Sequence, residues 1–150
     1  MLTVYDASEI TVSLGGVPLH GFADGAFCRI EEEGDAFTDQ AGADGEVVRS
    51  KSNDRRATVT IILQQSSDSN DYLSALYAAD RASPNGAGVG ALIVRDRNGR
   101  SVYTSGQTWI RKGPTAEFGK EAGNREWVLR CAKLLPFAGG NVGAAGGLPL

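Results

Sequence analysis

Aromatic residues are scarce in this chain, 7% of 150 residues, and histidine, methionine and cysteine are rarer still, with one, one and two copies. Each shortage removes a class of function. The lone histidine, His20, lies beside Pro18 and Gly21 with no serine or cysteine arranged around it, so no nucleophile–base pair is legible. Cys28 and Cys131 stand in unrelated contexts without metal-ligand spacing and read as small buried thiols in strands. A basic excess is missing as well. The net charge is -3 and the pI is near 5.1, the wrong balance for a dedicated nucleic-acid binder, which must neutralise phosphates. No apolar run is long enough to cross a bilayer, and the first six residues lack the basic and apolar regions of a secretory leader. The expectation is a soluble protein made in the cytosol.

The glycines number 20, yet none of the Gly-rich turns leads into the Gly-Lys-Ser/Thr of a phosphate loop. The acidic run Glu31-Glu32-Glu33 with Asp35 lacks the spacing and the glycine of a calcium loop and reads as a solvated strand face. No catalytic, cofactor-binding or metal-binding residue is assigned, and no cofactor is expected.

What is present is a turn-rich β pattern of one domain's length. Its organising stretch runs from Phe27 to Leu63 and reads as one extended β-hairpin. The turn signal is Gly42-Ala43-Asp44-Gly45, with Asp44-Gly45 as the positive-φ pair of a two-residue turn. Pairing outward from it places Gln40 opposite Arg49, Thr38 opposite Lys51 and Glu33 opposite Arg56, an acidic arm against a basic one. The end of the second arm, Ala57 to Leu63, alternates and is β-branched, so one face is expected in a core. The polar middle has no such core, and a long ribbon with open edges implies a meeting with another chain. Glu33, Asp44, Glu46, Arg49, Lys51, Arg55 and Arg56 are therefore the candidate self-assembly residues, with charge pairing within or between subunits.

Elsewhere the chain spells further strands around one helix. Ile10–Leu14 and Val17–Phe22 form a hairpin through Gly15-Gly16. Asp71–Ala82 is the helix, capped by Ser69 or Asn70, with Leu73, Leu76 and Tyr77 as a stripe that lids a sheet, and Ser83-Pro84-Asn85-Gly86 stops it. Gly90–Arg95 and Ser101–Thr104 pair through Asn98-Gly99. Gln107–Arg111, centred on Trp109, is a separate strand, and Arg125–Leu135 is the terminal one, with Trp127 and Ile61 both buried. The expected domain spans 1–138. Beyond it, 139–150 is a Gly-rich tail that only a neighbour could order.

Three groups of residues carry a family resemblance: Gly42 to Arg56, Ser69 to Leu76 and Arg125 to Arg130, with Leu14–Val17 and Gly21–Asp24 beside them. In these, and in element order over nearly the whole chain, the sequence resembles the tail-tube proteins of contractile-tailed bacteriophages. The resemblance implies a β-sandwich or barrel-like subunit flanked by one α-helix, similar in fold to the haemolysin-coregulated tube protein of type VI secretion, and here with a long protruding β-hairpin. It further implies a structural virion protein, not an enzyme. Six copies would form a ring and rings would stack into a hollow tube inside a sheath. Double-stranded DNA would pass through it without sequence recognition, and baseplate and terminator proteins would meet its ends. Two other readings stay open at this point: a ring-forming tail terminator or baseplate-hub protein, and a small enzyme or ligand-binding β-barrel using the interior near His20 or Trp109.

Overall fold

The computed structural model describes residues 2–141. After a short 3-10 turn at Ala7–Glu9, ten strands follow in order: β1 (Ile10–Leu14), β2 (Val17–Leu19), β3 (Cys28–Glu32), β4 (Phe37–Ala41), β5 (Val47–Lys51), β6 (Ala57–Gln64), then β7 (Gly90–Asp96), β8 (Val102–Lys112), β9 (Asn124–Cys131) and β10 (Leu135–Phe137). The helix α1 (Ser69–Ala82) lies between β6 and β7. Eight strands make one antiparallel sheet in the order β2-β1-β7-β8-β9-β6-β3, with β10 added along β8. The other two, β4 and β5, form a sheet of their own.

Alternation decides which face is inside. In β6, Ala57, Val59, Ile61 and Leu63 are all fully buried, and in β9 Trp127, Leu129 and Cys131 join them. Val12 and Leu14 of β1 and Leu19 of β2, near the opposite edge of the same sheet, belong to the same core. Residues from distant strands can share one core only if the sheet curls, and the chain after β2 completes the curl. Gln64 donates its backbone N–H to Gly21 at 2.8 Å, and Ala23 donates to Ile62 at 3.0 Å, so this segment meets β6 where β3 has ended. The result is a mainly-β, barrel-like body. At roughly 1.5–3 kcal/mol per fully buried large aliphatic side chain, this core supplies the favourable term of folding.

The helix closes one opening of the curled sheet. Leu73 is fully buried, and Leu76 and Tyr77 pack against the core, as the stripe predicts. Tyr77 meets Trp127 edge to face with ring centroids 6.5 Å apart. The helix begins earlier than expected, at Ser69, and neither Ser69 nor Asn70 caps it. Both side chains bond elsewhere: Ser69 Oγ accepts from the His20 backbone N–H, and the Asn70 amide donates to the Gln64 carbonyl.

Two expectations about strands are corrected. The separate strands Ser101–Thr104 and Gln107–Arg111 are one strand, β8, in which a bulge against β7 absorbs the irregularity at Gly106. The terminal strand stops at Cys131 instead of Leu135. The chain then turns, with Ala132 donating to Gln107 and Leu134 to Arg55, and returns along β8 as β10. Pro136 therefore sits inside a strand, at an edge where a missing N–H is tolerated. The hairpin through Asn98-Gly99 forms as expected, with no positive φ at either residue. Here the Asn98 side chain is engaged with Asp6, accepting from its N–H at 2.9 Å and donating to its carbonyl at 2.8 Å.

Of the expected tail, residues 139–141 are paired: Gly139 exchanges hydrogen bonds with Ser101, Arg100 donates to the Gly140 carbonyl, and Asn141 bridges Gly99. A side chain at Gly99 would collide with Gly140 and Asn141, which explains the glycine there. The rest of the expected tail, 142–150, lies outside the described residues.

Candidate self-assembly interface

The extended hairpin exists, but not as one ladder. β3 and β6 pair in the main sheet from Cys28↔Ile61 to Glu32↔Ala57, and Glu33 N–H donates to the Arg56 carbonyl at 3.1 Å, so Glu33 and Arg56 do lie opposite each other. Pairing then lapses and resumes as the β4–β5 ribbon, from Phe37↔Lys51 to Ala41↔Val47. Every residue of β4 and β5 is exposed.

At the tip the expected register is wrong by one residue. Gly45 donates to Gly42 at 2.9 Å and Gly42 to Glu46 at 2.8 Å, and only Gly45 has positive φ, at 85°. This is a type I turn followed by a glycine bulge, a three-residue loop where the two-residue turn was expected. The extra loop residue shifts the partners, so Arg49 faces Asp39 and Lys51 faces Phe37, not Gln40 and Thr38. Asp44 serves the turn, its carboxylate accepting from the Glu46 N–H at 3.2 Å.

The shift also changes what the charges do. Among the described residues no ion pair spans the ribbon; the Arg49 guanidinium instead lies over the Phe37 ring, 4.3 Å from its centroid. That contact is worth about 0.5–1 kcal/mol at an exposed site. Arg56 pairs with Asp54, two residues earlier on its own arm, at 2.9 Å. Arg55 contributes its backbone, accepting from Leu134. Glu33 turns away from the ribbon: its carboxylate accepts from the Thr58 hydroxyl and lies 3.4 Å from Arg130. The Thr58 hydrogen bond, and then Arg130, hold the Glu33 carboxyl below the usual range. Arg130 is mostly covered, with 12% of its side chain exposed, and its Nε has no partner among the described residues.

The seven predicted residues are thus not one cluster. Arg49, Lys51, Asp44 and Glu46 occupy the ribbon, while Glu33, Arg55 and Arg56 occupy its root. Sequence reasoning missed Phe37, 47% exposed, and Val47 and Val48, 63% and 64% exposed. Their signal was available: three large apolar residues inside an otherwise polar hairpin. His20 is exposed, and Trp109 is half-buried between the core-facing Thr108 and Ile110, so neither lines an interior.

Residues 10–137 match the family described as Bacteriophage PhiTE tail tube protein. The chain belongs to this phage tail-tube family. A curated relative, structural protein ORF10 of Pseudomonas phage KPP10, is 32% identical over 123 residues, covering 82% of this tail-tube chain and 71% of that protein. Among solved structures, the cap of the anti-feeding prophage, a tube-terminating cap, matches with a TM-score of 0.58 at 7% identity, covering 91% and 93% of the two chains. A chain of the PVC extracellular contractile injection system sheath–tube complex matches at 0.56 and 9% identity, covering 90% and 92%. A chain of the PVC sheath/tube terminator matches at 0.56 and 10%, covering 90% and 97%. At such identities these likenesses establish the fold. With the family, they make this a structural protein of the phage tail tube, with a mainly-β body of the kind seen in contractile systems.

Proposed function

We propose that this tail-tube protein closes into rings of six that stack into the inner tube of a contractile tail, a conduit for double-stranded DNA. In the virion it would meet the sheath along its outside and baseplate and terminator proteins at its ends. The observation that carries the reading is the β4–β5 ribbon. A two-stranded ribbon with both faces in water is marginal alone, so its order is best accounted for by a partner, and within a stack of rings the adjacent partner is another copy. A head-to-tail contact that closes by rotation yields the ring, and a second heterologous contact along the axis leaves an open end and propagates. The net negative charge suits a lumen through which DNA slides without adhering.

Likeness to a tube-terminating cap favours a second reading, a ring that ends a tube instead of extending it. Negative-stain microscopy of the purified full chain separates the two. Stacked rings or filaments support the tube, single closed rings support the terminator, and a persistent monomer contradicts both.

A further inference from the structure

The ribbon and the body each leave a strand edge without a partner, and the two edges match. In the ribbon, Ser52 donates to Ala36 and Gly42 donates to Glu46, so the even-numbered residues of β5 turn their backbone groups toward β4. By antiparallel alternation, Val47, Arg49 and Lys51 direct theirs outward. In the body, Ile62 donates to Phe27 and Glu33 to Arg56, so odd-numbered residues of β3 face β6, and Cys28, Ile30 and Glu32 face outward. Among the described residues no strand lies on the outer side of β3 or of β5. Beside the β3 edge is an open cleft of about 460 Å³, walled by Ile10, Phe27, Ile30, Val94, Tyr103 and Asp96.

We propose that the outer edge of β5 in one copy adds as a strand to the free edge of β3 in a copy of the next ring, with Val47 (antiparallel pairing) or Val48 (parallel pairing), which point to opposite faces, covered at the cleft. The inference rests on the stacked-ring reading and names the acceptor of its axial contact. Three outward backbone positions meet three, which removes both open edges at once. Charge selects β5 over β4. The β5 edge carries Arg49 and Lys51, while β3 carries Glu32 at an outward position, Glu31 being paired with Arg29 at 3.6 Å, and the cleft wall carries Asp96; the other ribbon edge, with Asp39, would set acid against acid. Apolar character agrees, since the exposed valines adjoin β5's edge and the cleft is lined by aliphatic and aromatic side chains.

Cys28 supplies the test, because it is a free, half-buried thiol lining the cleft on the acceptor edge, whereas Cys131 is fully buried; burial pushes the Cys28 thiol up to about 11, so oxidation is run at alkaline pH. Val48→Cys and Lys51→Cys are made separately in the full chain, each placing one new thiol near an end of β5; in a parallel pair Val48, and in an antiparallel pair Lys51, shares a face with Cys28. Strands paired in parallel bring the first near Cys28, and antiparallel strands bring the second, within the separation of about 4.4–6.8 Å between Cα atoms that a disulfide needs. After oxidation of stacked tubes, one of the two variants is expected to give a covalent ladder on a non-reducing gel. The ladder should vanish when Cys28→Ser is added, and Phe37→Cys on the opposite ribbon edge should give none. Stacked tubes that form normally yet link in neither variant would overturn the proposal and leave the stacked-ring reading standing, as would a link made equally in unstacked rings or within one chain. Failure of the parent chain to stack would overturn both.

Discussion

The indole N–H of Trp127 donates to the Asn70 side-chain oxygen at 3.0 Å, across 57 residues of sequence. The same asparagine amide donates to the Gln64 carbonyl at 2.9 Å, so one side chain joins β9, the end of β6 and the first turn of α1. Asn70→Ala would leave a partly buried indole N–H without its acceptor, costing roughly 1–3 kcal/mol. Chemical denaturation should show a lower midpoint with an unchanged slope. An unaltered midpoint would show that solvent replaces the asparagine freely.

Ile61 lies at the centre of the core, fully buried on β6 and opposite Trp127 of β9. Replacing it with alanine removes its transfer energy and leaves a cavity, so Ile61→Ala should cost about 2–5 kcal/mol and sharply reduce folded yield. Thermal unfolding equal to that of the parent chain would contradict the packing described.

Glu33 gives the root of the ribbon a pH dependence. Its carboxyl is held below the ordinary value of about 4.3, chiefly by the Thr58 hydroxyl, so it titrates at lower pH in the folded chain than in the unfolded one. The stabilisation is therefore fully present above the unfolded value and is lost as pH falls through the folded one. Backbone amides around Glu33 and Arg56 should lose protection as acid is added below that range, ahead of the core. Thr58→Val should move the Glu33 titration, followed by NMR of its carboxyl carbon, upward. A titration that does not move would assign the shift to Arg130 instead.

What was legible in the sequence was whatever alternation or helical spacing encodes. The buried face of β6, Trp127 within β9 and the Leu73 stripe of α1 were all readable, because each pattern repeats over several residues in one unbroken element. The failures share a cause: a local signal admitted two geometries. Asp44-Gly45 fits a two-residue turn or a three-residue loop with a bulge, and the choice moves every ribbon partner by one. Gly106 reads as a break, but the bulged strand runs through it. At the ribbon root, Glu33 found Thr58, its diagonal neighbour within the hairpin, and Arg130, which lies across the β6–β9 pairing where no spacing rule along one hairpin points.

The central claim is that the ribbon joins ring to ring, and reversing its charge tests it. Arg49 and Lys51 are exposed and outside the core, so Arg49→Glu with Lys51→Glu should leave the subunit folded by circular dichroism. Exposed pairs are worth only about 0–1 kcal/mol each, but a stacked ring sums them over every copy, and the reversal turns attraction into repulsion. The decisive measurement is filament length by electron microscopy for parent and double variant, at low and at physiological salt. The account predicts folded subunits whose stacking is lost, most completely at low salt, where screening is weakest. Tubes of normal length from the double variant under both conditions would contradict it.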